Sequence, residues 1–183
     1  DAISLEQRDR FAEMSLQPRK ITFMEVHLTN GCNLNCLWCS YFDSDKKLHL
    51  RFEDLDRIAL FQPEEILIVG GGEPTLYRDG NKEFNEAILR LRELLPNTKL
   101  RLITNGTYVP QGTWQSAIDE VSVSLDSPSR RHYVVNKGAD KFDTVLKNIF
   151  GEYLQKSSIE HVRVTMIYNR DNLDAAFVLA RRL

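Results

Sequence analysis

An α/β fold, with a parallel sheet wound into an incomplete barrel, is predicted by three observations. From Ile21 onward five strand-like apolar runs alternate with helical segments, the arrangement that yields parallel strands and right-handed crossovers. Four of those runs carry polar residues at every second position and apolar residues between them. The residues able to do chemistry fall at the carboxyl ends of the runs, where βα barrels build their sites.

The elements follow in chain order. Residues 4–17 hold good helix formers with Leu5, Phe11, Met14 and Leu16 as the apolar stripe, and Pro18 punctuates this lead helix before the first strand. Domain organisation is therefore read as a lead segment over 1–20 and one core over 21–183, since 183 residues with 42% hydrophobic content bury a single core. Ile21–Thr29 alternates as strand one and runs straight into a cysteine loop. Arg51–Phe61 spaces Leu55, Ile58, Ala59 and Phe61 as a helix, and Glu64–Val69 is a short apolar strand stopped by three glycines. Then come helix Lys82–Leu95, strand Lys99–Thr104, a short helix near Trp114–Ile118, strand Val121–Leu125, helix Asp143–Lys156, strand His161–Tyr168 and helix Leu173–Leu183. The pattern ends inside a helix with no glycine cap after Leu183, so a further βα unit or a C-terminal domain is expected beyond it.

The polar positions are Glu25 and His27, Arg101, Ser122 and Ser124, and Arg163 and Thr165; their neighbours Val26, Leu28, Leu100, Leu102, Val121, Val123, Val162 and Val164 suit packing under helices. A complete eight-stranded barrel fills its interior with aliphatic layers, so a polar inner face favours a partial barrel with an open lumen that holds ligand. The alternative with the same pattern is an open sheet with one side in solvent.

Charge is balanced, 24 Lys+Arg against 26 Asp+Glu, so no global field draws nucleic acid or an anionic membrane. No apolar run approaches the roughly 18 residues of a membrane span, and no apolar signal region is present, which places the protein in the cytoplasm with a small-molecule or peptide partner. No phosphate-cradling loop ending in Lys-Ser/Thr occurs, and the strand-adjacent lysines, Lys99 included, sit at no obvious Schiff-base position.

All three cysteines lie within eight residues, Cys32-Asn33-Leu34-Asn35-Cys36-Leu37-Trp38-Cys39. That is too local, and odd in number, for a disulfide framework. Three thiolates in one loop fit an iron–sulfur cluster with one iron left open, whereas a structural zinc would need His27 or His49 to close its tetrahedron.

The C-x3-C-x2-C spacing, with an aromatic residue before the last cysteine, resembles the signature loop of radical S-adenosylmethionine (SAM) enzymes. Further matches follow in order: Gly70-Gly71-Gly72-Glu73-Pro74, Thr104-Asn105-Gly106, Ser122-Val123-Ser124-Leu125-Asp126 and Val162-Arg163-Val164-Thr165-Met166-Ile167. The resemblance implies a partial (β/α)6-type, TIM-like barrel, of which five βα units are visible. It also implies a [4Fe–4S] cluster on Cys32, Cys36 and Cys39, and SAM held by Gly71, Gly72, Glu73, Asn105, Ser124 and Asp126, with Trp38 and Met166 near adenine. Where many relatives carry an arginine for the SAM carboxylate, this chain has Asn136, with Lys137 beside it; an amide offers no charge, so Lys137 is the candidate.

The activity so implied is reductive cleavage of SAM to a 5′-deoxyadenosyl radical that abstracts hydrogen from a peptide or small-molecule substrate, with electrons from flavodoxin or ferredoxin. Glu25, His27, Arg101 and Arg163 are candidates for orienting a charged substrate, or else form internal ion pairs. Two competing functions are a zinc-stabilised interaction module and a SAM-binding subunit without catalysis.

Overall fold

The computed structural model describes residues 21–168, 170 and 172–181. The lead helix expected over 4–17 lies outside them.

Five parallel strands form the sheet: β1 (Phe23–Val26), β2 (Glu65–Ile68), β5 (Lys99–Thr104), β6 (Glu120–Ser124) and β7 (His161–Thr165), side by side in that order. Between them run α1 (Asp54–Ala59), α2 (Phe84–Leu94), a 3-10 turn at Trp114–Ala117, α3 (Arg130–Lys137) and α4 (Phe142–Asn148), and α5 (Leu173–Ala180) follows β7. Strand order equals chain order, and the sheet does not close on itself, as expected for a partial barrel. No helix among the described residues is long and apolar enough to cross a membrane.

The outer face packs as its alternation requires. Val26, Leu28, Ile66, Ile68, Leu100, Leu102, Val121 and Val123 are all buried against Leu55 of α1, Ile88 and Leu91 of α2 and Val145 of α4. Trp114 is fully buried, with its ring edge-on to Phe84 and Tyr153, and its indole N–H donates to the Pro110 carbonyl. Helix α2 starts on a reciprocal capping box between Glu83 and Glu86.

The inner face is less uniformly wet than alternation suggests. Ser122 is buried, and Glu120, only 2% exposed, gathers cations: Arg101 Nε donates to its Oε1 at 3.1 Å, Arg163 Nε lies 3.3 Å from Oε1, and Lys99 Nζ lies 3.5 Å from Oε2. Arg101 also reaches Glu65 at 2.6 Å. Buried carboxylates persist only when paired, and this network satisfies Glu120 of β6 from the strands on either side, β5 and β7.

Three local expectations are corrected. Lys82 and Glu83 belong to β4 (Lys82–Glu83), which pairs with β3 (Arg78–Asp79) in a two-stranded ribbon before α2 begins. Helix α4 starts at Phe142 and widens to a π-helix over Ile149–Gln155. Arg130–Lys137, which carried no helical expectation, is α3: its β-branched Val134 and Val135 and lack of a side-chain cap give weak local propensity, and packing of Tyr133 and Lys137 decides.

Removing the anion at the centre of the lumen network should be costly. Glu120→Ala is expected to lower unfolding stability by about 3 kcal/mol, because it leaves Glu65 as the remaining anion for Arg101 with Lys99 and Arg163 close by; urea denaturation checks this, and a loss below about 1 kcal/mol would show the network to be dispensable.

Candidate functional site

The cysteine loop departs after β1 and is closed at its base. Asn30 N donates to Leu48 O and Leu50 N to Leu28 O, both at 2.8 Å, with an antiparallel bridge between Thr29 and His49. Two further backbone contacts hold it from outside. Gly72 N donates to Thr29 O at 2.7 Å and Glu73 N to Gly31 O at 2.8 Å. On the other side, Asn35 N donates to Lys137 O at 3.2 Å and Leu37 N to Asn136 O at 2.9 Å, so the loop occupies carbonyls that the end of α3 would leave unpaired.

Glycine makes both approaches possible. Gly70 and Gly71 have φ of 68° and 62°, and a Cβ at Gly72 would fall on the Gly31 carbonyl. Gly71 and Gly72, which the resemblance assigns to SAM, admit backbone first: the root of the cysteine loop at residues 29–31. Gly138 caps α3 at φ 68°, and its missing Cβ leaves room for Asn35 O.

Glu73 is 2% exposed and accepts four hydrogen bonds: Oε1 from Thr75 N, Thr75 Oγ1 and Thr104 Oγ1, and Oε2 from Asn105 N at 2.7 Å. Burial pushes its pKa up from the ordinary carboxylate value, against the pull of these bonds. Asn105 extends the network by donating to Asn33 Oδ1 at 2.9 Å, and Asn33 donates to Thr107 at 2.8 Å. Thr75 and Thr107 carry no expectation from sequence, and Thr104 and Asn33 stand there within quoted motifs without a role. The available signal was Thr104, a hydroxyl at a strand position whose alternation assigns it to the apolar face.

Cys32, Cys36 and Cys39 are free thiols that line one cleft with Gly71, Gly72, Glu73 and Asn105. Burial pushes the Cys32 and Cys36 thiols up. A second cleft adjoins, lined by Cys36, Trp38, Cys39, Asp126, Lys137 and Ile167. There Lys137, buried, donates to Asp126 Oδ2 at 2.5 Å, and Asn136 Nδ2 holds the Asp126 carbonyl at 3.3 Å. Trp38 is 73% exposed; half-buried Met166 does not line this cleft, but its neighbour Ile167 does. Ser124 faces the lumen beside Thr165. Arg101 and Arg163 belong to the Glu120 network, and His27 Nε2 lies 3.7 Å from Glu25.

With its candidate chemistry at the carboxyl ends of parallel strands, the molecule falls in the class of βα-barrel proteins whose site is built on the loops after those strands. Within that class, residues 26–179 match the family model of the Radical SAM superfamily, and the chain belongs to it. It is 30% identical over 168 residues to the probable GTP 3′,8-cyclase of Methanocella arvoryzae, covering 85% of this chain and 52% of that protein. With the GTP 3′,8-cyclase of Yersinia pestis the identity is 28% over 163 residues, 84% of this chain and 48% of that one. The chain thus spans about half the length of the curated relatives it matches. Among solved structures, Streptococcus suis SuiB bound to S-adenosylmethionine superposes with a TM-score of 0.69 over 96% of this chain and 41% of that one, at 17% identity. The anSMEcpe structure with bound AdoMet gives 0.58 over 80% and 43%, at 21%. These two structures share the fold.

The donor set fits the family's cluster better than a single ion. Among the described residues no three of His, Cys, Asp or Glu converge where one metal ion could sit. A [4Fe–4S] cluster gives each thiolate its own iron, so its ligands surround a space, as the three cysteines do. His49 lies 3.5 Å from Asp79 and His27 sits over Gly70, so neither histidine joins the thiols as a fourth zinc ligand.

Gly72→Ala is expected to displace the loop root and reduce iron uptake during anaerobic reconstitution at least tenfold, while the far-ultraviolet circular dichroism stays native. Full iron loading in that variant would show that the close approach at Gly72 is not needed to hold the loop.

Proposed function

We propose that the protein binds a [4Fe–4S] cluster through Cys32, Cys36 and Cys39 and cleaves SAM reductively, the resulting 5′-deoxyadenosyl radical abstracting hydrogen from a small-molecule or peptide substrate in the lumen. The observation that carries this reading is that three thiols and a buried carboxylate line one cleft at the ends of parallel strands. When bound, the cluster supplies the electron that breaks the SAM carbon–sulfur bond; the protein's part is to place and enclose the reactants.

Supporting roles fall to residues already positioned. Glu73 Oε2 accepts from the Asn105 amide alone, which leaves it acceptor capacity for the SAM ammonium, with Gly71, Gly72 and Asn105 alongside. Lys137 is the cation for the SAM carboxylate, released from Asp126 when SAM arrives. Trp38 and Ile167 offer apolar surface to adenine, with Met166 and Ser124 flanking. Glu25, His27 and Arg163, the last 59% exposed despite its contact with Glu120, face a substrate; Arg101 is engaged by Glu65 and Glu120. Flavodoxin or ferredoxin is the electron donor in this reading. The named relatives act on GTP and SuiB binds a precursor peptide, SuiA, so both substrate classes stand among neighbours of the chain.

Anaerobic reconstitution with iron and sulfide, followed by reductant and SAM, tests the reading. Expected are a [4Fe–4S] spin-resonance signal that shifts with SAM and formation of 5′-deoxyadenosine, both abolished in Cys36→Ala. A colourless protein holding one tight zinc would overturn it, and a SAM-responsive cluster without deoxyadenosine would reduce it to a silent binding subunit. Lys137→Gln is expected to weaken SAM binding at least tenfold at equal cluster content, read by the SAM concentration that half-shifts the signal.

A further inference from the structure

Asn33, Asn105 and Thr107 close a ring of side-chain hydrogen bonds beside Glu73. Asn105 Nδ2 donates to Asn33 Oδ1 at 2.9 Å, Asn33 Nδ2 to Thr107 Oγ1 at 2.8 Å, and Thr107 Oγ1 to Asn105 Oδ1 at 2.7 Å. Every donor points the same way round. The direction is set by the backbone: Thr107 N also donates to Asn105 Oδ1, at 2.9 Å, so the Asn105 oxygen faces Thr107 and its amide nitrogen faces Asn33. Asn33 must then present its oxygen to Asn105 and its nitrogen to Thr107. The hydroxyl, with a single hydrogen, accepts from Asn33 and donates to Asn105.

The ring joins two parts of the site. Asn33 directly follows Cys32 in the thiol loop. Asn105 is buried at the end of β5, where its main-chain N–H holds Glu73 Oε2 at 2.7 Å. The backbone ties of the loop run to the turn after β2 and to the end of α3, whereas the ring runs to the end of β5. Neither Asn33 nor Thr107 lines the two clefts around the thiols. Whatever they contribute to binding there passes through Asn105 and the loop. Asn33 is exposed, so a lone bond from it would compete with water, and closing three bonds in one direction lets each support the next.

We infer that Asn33 and Thr107 are positioning residues for SAM, which set the separation between the thiol loop and Glu73 through this ring. The inference rests on the proposed cluster and on Glu73 as the site of the SAM ammonium. A molecule held at one end by the open iron and at the other by Glu73 needs both anchors in register, to within about 0.5 Å.

Thr107→Val keeps the size of the side chain and the backbone N–H but removes the hydroxyl, while Thr107→Ser retains it. Reconstituted proteins are compared at equal cluster content. The SAM-free spin-resonance signal is expected to be the same in all of them. The SAM concentration that half-shifts the signal should rise about tenfold in Thr107→Val and in Asn33→Ala, and stay within about twofold of wild type in Thr107→Ser. In cluster-free protein the Asn105 amide should exchange with deuterium roughly fivefold faster in Thr107→Val and at the wild-type rate in Thr107→Ser. A wild-type half-shift in Thr107→Val, or an equal loss in Thr107→Ser, overturns the inference while leaving the cluster and Glu73 assignments intact. So does a variant that loads less cluster but whose remaining cluster answers SAM as the wild type does, because the ring would then serve only to fold the loop. Should Thr107→Val fail to fold, Asn33→Ala at its exposed position decides by the same half-shift. A wild-type cluster that does not respond to SAM sinks both the inference and the proposed function.

Discussion

Everything at the carboxyl face of the sheet depends on how closely two stretches of main chain approach each other: the turn after β2 and the root of the cysteine loop. Gly72 N to Thr29 O and Glu73 N to Gly31 O are ordinary backbone hydrogen bonds, but they form across a gap that admits no side chain at position 72. The same turn delivers Glu73 to Thr104 and Asn105 at the end of β5, and Asn105 returns to Asn33 inside the loop. One steric constraint therefore connects β1, β2, β5 and the loop in a closed circuit of polar contacts. Each member satisfies another's buried group, so the circuit is stable only when complete.

The opposite flank is held by a helix used at its unfavourable end. The carboxyl terminus of α3 carries partial negative charge, a poor neighbour for thiolates. Two arrangements offset this. The amides of Asn35 and Leu37 cover the exposed carbonyls, and the side chain of Lys137 brings a cation that favours the charged form of Cys36. Asp126 balances that cation from a left-handed backbone conformation, φ 55°, which is held by its N–H to Thr165 O and by the Asn136 amide. The departure from the familiar arginine at position 136 is thus structurally used: a short amide ties Asp126 in place and leaves the charge to the next residue.

Much of this was legible in the residues. Alternation fixed which faces of the strands are apolar, the glycine run and Glu73 marked the second strand end, and the cysteine spacing marked the first. The parts that escaped share a physical cause. Helix α3 has weak propensity and exists through Tyr133, Lys137 and the loop that lies on its end, none of which has a periodic signature. The ribbon of β3 and β4 has strands of two residues each, too short for any period to register. The Glu120 network escaped because its partners, Lys99 and Arg101 on β5 and Arg163 on β7, lie on two other strands, so the ion-pair alternative for Arg101 and Arg163 had no anion to name when each strand was read alone.

The loop's main-chain attachments to the rest of the fold fall on residues 28–37 and 48–50, and its side-chain tie through Asn33 falls in the same stretch. Between them, positions 40–47 hydrogen-bond through the backbone only within the loop itself, as in Ser44 N to Tyr41 O. That span meets the thiols through one backbone bond, Phe42 N to Cys39 O, and doubling a flexible connector costs only about 0.6 kcal/mol of closure entropy. Phe42 and Lys46 of that span line the cleft, so the segment that shapes its rim is held apart from the main-chain seats that fix the loop beneath it.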